Sequence, residues 1–398
     1  MPKYPFTPEL LDAIPEELAE LFRSLEITLL EEICSRLKLA DQLNEVTVQD
    51  IQALRSHGID LSDIEKAIRE ATGISQKKLN ELLDGVVGRN QEYYTELINA
   101  AKVTAPTQLV NEQDIVAIRR QTWSAFKNIT GSMGFLVVHG GRLTMLDPAK
   151  AYQWALDNAV MQIQSGAVSY NHAIKYAVKS LADSGIKTVD YESGRSDQVD
   201  VAARRAVMTG VNQINQKYAE QSTEYLKTDL VETSAHIGAR NIGNVPENHE
   251  KWQGKWYRWS EKPQTSTGEY PDFIETTGYG TGAGLGGWNC RHTFYPVVEG
   301  VSEATYSQAD LDAMKGENRK FKFEGQEYDG YTATQEQRSI ERTIRKLKRE
   351  ETAYNAAGLH DKELAVSIRI KRLSAKYKAF SRAAGLPEQR ERMKVLYD

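Results

Sequence analysis

The chain has 398 residues, of which 40% are hydrophobic and 26% charged, and its formal net charge at pH 7 is −5. This length allows two or three domains with hydrophobic cores, and the composition is that of an ordinary globular protein. No stretch of about 18 apolar residues occurs, which excludes a membrane-spanning helix, and we expect no signal peptide because the start lacks a basic region followed by an apolar one.

Residues 1–146 predict a helical N-terminal region. Apolar residues recur at three- and four-residue steps in LLDAIPEELAELFRSLEITLLEEICSRL, which is typical of an amphipathic helix. TVQDIQALRSHG predicts a second helix that ends at Gly58. IDLSDIEKAIREATG and ISQKKLNELLDGV predict two more, which meet after Gly73, and a further helix is expected over 112–128. We therefore expect a series of helix–turn–helix hairpins.

Residues 147–331 predict a small mixed core. One helix opens at Asp147 and a second runs from His172 to Asp183. TVDYES alternates like a strand, and Ser196 is placed to cap a long helix, SDQVDVAARRAVMTGVNQINQKYAEQ. LVETSAHIG and KWYRW are strand candidates, and KFKFEGQEYDGY predicts a hairpin around Gly325.

Residues 332–398 predict a basic helical hairpin that turns near Gly358. The apolar positions expected to pack between its two helices are Ile340, Ile344 and Leu347 on the first and Val366, Ile370, Leu373 and Tyr377 on the second. This packing would turn four arginines outward or sideways and expose them as a ridge: Arg338, Arg342, Arg345 and Arg349. Such a ridge could contact DNA phosphates or an acidic partner, and the alternative is a solvated helical face.

The stretch GWNCRHTFYP allows a metal site, a nucleophile beside its base, or a loop held in shape. Four side chains could bind zinc: His236, His249, Cys290 and His292. Their spacing is poor, because structural zinc sites usually pair ligands two to four residues apart. In an extended segment Cys290 and His292 would also lie beyond hydrogen-bond reach of each other. The leading interpretation is a buried Cys290, acting as a small hydrophobe, with His292 as a hydrogen-bonding support.

The glycine run GYGTGAGLGG matches the dinucleotide-binding pattern GxGxxG once, at Gly282, Gly284 and Gly287. That fingerprint needs a helix after the glycines, whereas WNCRHTFYP follows them, so we reject nucleotide binding there. The glycines instead predict positive φ angles in a loop that passes close to other backbone.

Five segments in fixed order carry a family resemblance: VDVAARRAVMTGVNQ, SAHIGAR, HEKWQGKWY, YPDF and GYGTGAGLGGWNCRHTFYP. They resemble the minor capsid protein 2 family of tailed phages and prophages of Gram-positive bacteria, which is distantly similar to Mu F-like head proteins. The structural signature of this resemblance is Trp288, Asn289, Cys290, Arg291 and His292. One departure is Gly286, where we expect a cysteine in many relatives, and this weakens a metal role here.

The resemblance implies a structural minor head protein near the portal, needed to assemble the head or complete the DNA-filled head. It implies no catalytic residue and no cofactor. Its expected partners are the portal protein, other capsid proteins and, non-specifically, packaged DNA, with no membrane. The expected location is the virion, assembled in the reducing host cytoplasm, which suits a chain whose two cysteines are too few for a disulfide framework.

Two alternatives remain open. One is an enzyme or toxin-like module, a metal-dependent hydrolase or a transferase, delivered with the phage DNA. The other is a nucleic-acid-binding accessory protein of the head. For the fold we expect an α+β protein that is predominantly α, with the three regions 1–146, 147–331 and 332–398.

Overall fold

Long helices and three small antiparallel sheets make up the fold, so the expected α+β class with predominant helix is confirmed. The computed structural model describes residues 5–41, 62–164, 170–189, 194–287 and 290–395. The helices are α1 (Pro8–Ala13), α2 (Glu16–Asp41), α3 (Ser62–Ala100), α4 (Glu112–Gly131), α5 (Pro148–Gln164), α6 (Tyr170–Ser184), α7 (Val199–Leu226), α8 (His249–Trp252), α9 (Phe273–Thr277), α10 (Gln308–Met314), α11 (Gly330–Ala356) and α12 (His360–Ala383). The predicted helix over 47–58 and the signature residues Trp288 and Asn289 lie outside the described residues.

Nine strands form the sheets within the described ranges. They are β1 (Gly134–His139), β2 (Arg142–Leu146), β3 (Ile186–Val189), β4 (Ser196–Gln198), β5 (Leu230–Thr233), β6 (Trp256–Arg258), β7 (Phe294–Val297), β8 (Phe321–Phe323) and β9 (Gln326–Tyr328). Their orders are β2-β1-β3-β4, β6-β5-β7 and the predicted hairpin β8-β9, which turns through Glu324 and Gly325, both at positive φ.

Helix α7 is the central element. Its apolar side chains Val207, Val211 and Ile214 are fully buried, because α2, α3 and α4 all pack against it. The helix begins three residues later than predicted. Ser196 does not cap it but pairs with Val189 in the β3–β4 ladder, so the backbone there is extended rather than helical.

Helix α3 corrects the expectation of short hairpins in this part of the chain. It runs unbroken for 39 residues and passes straight through Gly73. A glycine inside a helix costs only about 1 kcal/mol. Burial of Leu79, Leu83 and Tyr94 against α2 and α7 outweighs that cost.

Strand β5 lies at the centre of the second sheet. Val231 pairs with Tyr257 of β6 and with Pro296 of β7, and all four residues of β5 are buried. Strand β7 also packs on α7. This arrangement fixes the segment that enters β7, which holds Cys290 and His292, against the central helix.

The C-terminal hairpin forms as predicted, with Ile340 and Ile344 buried together with Tyr377 and Phe380. Its arginines do not form the predicted outward ridge. Arg345 lies 3.7 Å from Asp200 on α7, and the buried Arg349 lies 3.3 Å from Glu26 on α2.

The placement of Arg345 and Arg349 differs from the prediction because the prediction treated the hairpin in isolation, while a contact of these arginines with DNA or a partner stays a prediction. Helix α11 also packs on α2 and α6, so a second face of it is covered. Arg342 is exposed and Arg338 is partly buried.

Contacts cross the boundaries drawn from the sequence. The hydroxyl of Tyr295 donates to the carbonyl oxygen of Phe6 at 2.7 Å, and Arg204 donates to Asp12 at 2.5 Å. The division into three regions therefore stays a prediction about folding units rather than an observed separation. Within the described ranges, no helix is both long and apolar enough to cross a bilayer.

Candidate functional site

The glycine run before β7 forms a tight coil. Gly278, Gly280 and Gly286 have φ angles of 62°, 88° and 70°, a region that L side chains rarely adopt. A β-carbon on Gly284 would overlap the carbonyl group of Gly278, and one on Gly287 would overlap that of Gly282. The prediction of positive φ and close backbone approach is confirmed.

Three segments bring His236, His249, Cys290 and His292 together, and we call these four residues the imidazole–thiol cluster. The ring of His292 lies 4.4 Å from that of His236 and 5.4 Å from that of His249, between centroids. The Sγ atom of Cys290 lies 3.6 Å from Nδ1 of His292.

The expectation that the four residues sit near one another is confirmed, and Cys290 is buried as predicted. The expectation that Cys290 and His292 lie out of mutual reach is wrong. Strand β7 begins only at Phe294, so Cys290 and His292 lie before the strand, and the spacing of side chains along a strand that the expectation assumed does not apply to them.

Gln253, which belongs to no motif recognised in the sequence analysis, connects the cluster. Its Oε1 accepts the backbone N–H of His236 and bonds Nε2 of His292, both at 3.0 Å. An amide oxygen only accepts, so Nε2 of His292 carries the proton and Nδ1 presents a lone pair to Cys290. By the same argument Nε2 of His249 donates to the carbonyl oxygen of Ala283 at 2.9 Å.

Burial keeps the cluster neutral. It lowers the pKa of His236 to about 3 and that of His249 to about 4. Burial, and then the neighbouring His236 and His249, lower the pKa of His292 well below its usual range. Burial raises the pKa of the Cys290 thiol, although the backbone groups of Gly286 and His292 oppose the shift. At pH 7 the cluster therefore holds neutral imidazoles and a protonated thiol, which is not an activated nucleophile.

Three of the four residues could hold a metal ion. Ligand atoms of His249, Cys290 and His292 lie within 4.8 Å of one another, and all three residues are buried. In a tetrahedral zinc site neighbouring ligand atoms are about 3.3–3.8 Å apart, so the group would have to contract, and a closed structural site needs a fourth ligand. The residues fit a partial zinc site, and the expectation that the chain holds no metal stays a prediction.

A cavity of about 380 Å³ opens beside the cluster, with His236, His249 and His292 on its wall. We call it the arginine cavity, because nine arginines line it: Arg23, Arg204, Arg205, Arg240, Arg291, Arg338, Arg342, Arg345 and Arg392. Arg291 from the sequence signature and three of the predicted ridge arginines belong to it. The others come from α2, α7 and segments far apart in the chain, which periodicity within one helix could not bring together.

Comparison with known protein families identifies the family of this chain. A family model described as phage minor capsid protein 2 matches residues 6–381. The chain belongs to this family. A protein described as "Structural protein" from Lactococcus phage mv4 is 33% identical to the minor capsid protein over 129 residues, which is 32% of this chain and 93% of that one. No solved structure matches significantly.

Membership of this family makes the chain a structural component of the phage capsid, and its place is the virion. The predicted recognition and the structural role are confirmed. Cys290 is buried and His292 is hydrogen-bonded to Gln253, as the leading interpretation expected, while a structural role for the whole stretch GWNCRHTFYP stays a prediction.

Proposed function

We propose that the minor capsid protein attaches to the portal protein, completes the head at that vertex, and catalyses no reaction. The observation that supports binding to another protein is a pair of exposed apolar side chains on the β1–β2 hairpin. Val138 and Leu143 face each other across the two strands and are 52% and 69% exposed. Adjacent exposed apolar side chains lose unfavourable contact with water when a partner covers them, so this pair is a candidate anchor for another protein.

The position of the pair in the sheet also supports docking. Strand β2 is an edge strand, with β1 on one side and no described strand on the other. An open edge offers backbone N–H and C=O groups to a strand of another protein. The hairpin therefore combines backbone pairing with apolar anchors, the combination used when a partner adds a strand.

The absence of catalysis is supported by the chemistry of the imidazole–thiol cluster. A general base works best when its pKa lies near the working pH, whereas burial lowers the pKa of His236 and His249 to about 3 and 4. Burial also raises the pKa of Cys290, which disfavours the reactive thiolate. This weighs against the hydrolase and transferase alternatives.

Co-purification tests the portal contact. Tagged minor capsid protein is co-expressed with the portal protein of the same phage, and separately with the major capsid protein. We expect it to retain the portal protein, and we expect Leu143→Asp to lose it. The matched control is Leu364→Asp on α12, because Leu364 is 65% exposed and Leu143 is 69% exposed.

Retention of the portal protein by the Leu143→Asp variant, or binding to the major capsid protein alone, would contradict the proposal. Cryo-electron microscopy of virions without imposed symmetry then locates the protein. The expected density lies at the portal vertex, in far fewer copies than the major capsid protein.

A further inference from the structure

We propose that the arginine cavity is a binding site for a phosphate group, carried by a free polyphosphate or by the end of a nucleic acid strand. The cavity wall is strongly unbalanced in charge. Its nine arginines face only four carboxylates, those of Asp12, Glu16, Asp200 and Glu341. Arg342 is exposed to solvent, and Arg205 pairs with Asp197 outside the wall at 2.5 Å. The other seven arginines are buried or half-buried and still outnumber the four carboxylates, so their excess charge favours the entry of an anion.

The four carboxylates are already paired with wall arginines. Asp12 lies 2.5 Å from Arg204 and 3.5 Å from Arg291, and it also pairs with Arg392. The remaining pairs are Glu16 with Arg23 at 2.6 Å and Arg204 at 3.1 Å, Asp200 with Arg23 at 3.6 Å and Arg345 at 3.7 Å, and Glu341 with Arg392 at 3.9 Å. Asp12 alone is shared by three guanidinium groups. Each of the four carboxylates is therefore already paired with at least one arginine of the wall.

Arg338 shows where the charge is unmatched. It lines the cavity from α11, and within the described ranges it forms no hydrogen bond or ion pair, although the carboxylate of Asp12 attracts it from a greater distance. Burial, together with the charges of Arg291 and Arg392, lowers its pKa to about 9, and the attraction of Asp12 offsets this only in part. A guanidinium normally keeps its proton to pH 12 or above. Arg338 still carries its proton at pH 7, but its positive charge is less stable in the cavity than in water, and an anion bound beside it would offset that cost.

The donor set suits phosphate. A guanidinium presents a planar fork of N–H groups that matches two oxygens of one phosphate. Arg338 comes from α11, Arg204 from α7 and Arg291 from the segment before β7, so an anion between them would be held from several directions. The neutral histidines on the wall add no repulsion. A recess of about 380 Å³ admits a phosphate group with part of its ester.

Calorimetry and thermal melting of the full chain test the site, in a phosphate-free chloride buffer at constant ionic strength. We expect pyrophosphate to bind and to raise the melting temperature. Arg338→Gln should weaken binding by about 10- to 100-fold, the usual loss for a charged hydrogen bond. The same variant without ligand should melt no lower than the parent, since a partly buried charge without an ion-pair partner has been removed. The control Arg372→Gln, an exposed arginine on α12 outside the cavity, should bind like the parent.

Three further probes distinguish the two sources of phosphate. These are inorganic phosphate, a short single-stranded oligonucleotide with a 5′-phosphate, and the same oligonucleotide without it. Preference for the phosphorylated strand over pyrophosphate assigns the site to nucleic acid ends, and the reverse preference assigns it to a free polyphosphate.

The proposal would be overturned if neither pyrophosphate nor the phosphorylated strand binds better than chloride. It would also be overturned if Arg338→Gln binds pyrophosphate as tightly as the parent. Arg338→Lys keeps the charge but loses the fork, so it should bind with intermediate affinity, and it serves if the glutamine variant does not fold. The phosphate site and the portal contact are independent proposals. In the co-purification experiment, Arg338→Gln should therefore still retain the portal protein.

Discussion

At the residue scale, the ion pair between Arg349 and Glu26 joins three elements. Both side chains are buried, with 3.3 Å between Nη1 and Oε2, and the backbone N–H of Ile186 in β3 donates to Glu26 at 2.6 Å. Burial raises the pKa of Glu26, while Arg349 and that N–H oppose the shift. Desolvation offsets much of the attraction in such a pair, so its main effect is that neither partner can be lost alone.

Replacing Arg349 with leucine should therefore be strongly destabilising. We expect the free energy of unfolding of Arg349→Leu to fall by about 3–5 kcal/mol, because Glu26 is left buried without a counter-ion. The control Arg342→Leu, an exposed site on the same helix, should stay within about 0.5 kcal/mol of the parent. Urea unfolding measures both, and equal effects of the two substitutions would contradict the inward placement of Arg349.

The imidazole–thiol cluster predicts acid lability. The unfolded chain protonates its histidines below their usual pKa of 6.5, whereas the folded chain holds His236 and His249 neutral down to about 3 and 4. The unfolded state thus binds more protons between about pH 4 and 6.5, so stability is fully present above this window and is lost as the pH falls through it. Each histidine contributes a slope of about 1.4 kcal/mol per pH unit.

Unfolding free energies measured between pH 7 and pH 5 test this slope. His236→Gln should reduce the loss on acidification, while His360→Gln at an exposed site should leave it unchanged. Identical slopes in the parent and the His236 variant would show that the cluster does not control acid stability.

We expect purified protein to hold less than one zinc per chain. The cluster supplies three close ligands rather than four, and burial raises the pKa of Cys290, which disfavours the thiolate that zinc binds. Elemental analysis after purification without chelator measures the zinc content. About one zinc per chain, lost in His292→Ala but retained in His172→Ala, would show that the site is a metal centre.

At the element scale, the two kinds of glycine in this chain should respond oppositely to alanine. Gly284→Ala should cost about 1–3 kcal/mol, because its β-carbon would overlap the backbone of Gly278, which cannot move aside in a closed coil. Gly73 sits inside α3, and an added β-carbon there would meet no atom within 4 Å, so Gly73→Ala should gain about 0.5–1 kcal/mol. Thermal melts of the two variants measure the difference, and shifts of the same sign would contradict it.

Prediction from sequence succeeded where one element carries its own pattern. The stripe on α7, the α11–α12 hairpin and the turn at Gly325 follow from local periodicity and turn chemistry. Prediction from sequence failed where contacts with a distant element determine the local structure. Gly73 does not end α3 because its neighbours pack on α7, and Arg349 turns inward because Glu26 lies opposite it on α2.

The candidate site shows the same division. The residue types in GWNCRHTFYP and the two upstream histidines were enough to name the members of the cluster. Its geometry depends on Gln253 and on where β7 begins, and neither has a sequence signal of its own. The arginines of the cavity come from segments even further apart in the chain, so the cavity could not be predicted from local sequence patterns.

At the scale of the whole molecule, segments that are far apart in the chain meet at Asp12. Asp12 near the N-terminus contacts Arg204 of α7, Arg291 beside the cluster, and Arg392 after α12. One hydrophobic core also runs from Phe6 through α7 to Val366. Contacts of this kind couple the stability of segments that are remote in sequence.

We therefore expect one cooperative unfolding transition, rather than separate transitions for regions 1–146, 147–331 and 332–398. Differential scanning calorimetry should give a single peak, and Asp12→Ala should move that whole peak to lower temperature, because three guanidinium groups lose a shared buried counter-ion. A control at an exposed acid, Glu275→Ala, should leave the peak in place. If the Asp12 variant instead splits the peak, or if the parent already shows several, the three regions are independent folding units and the shared core is only an interface between them.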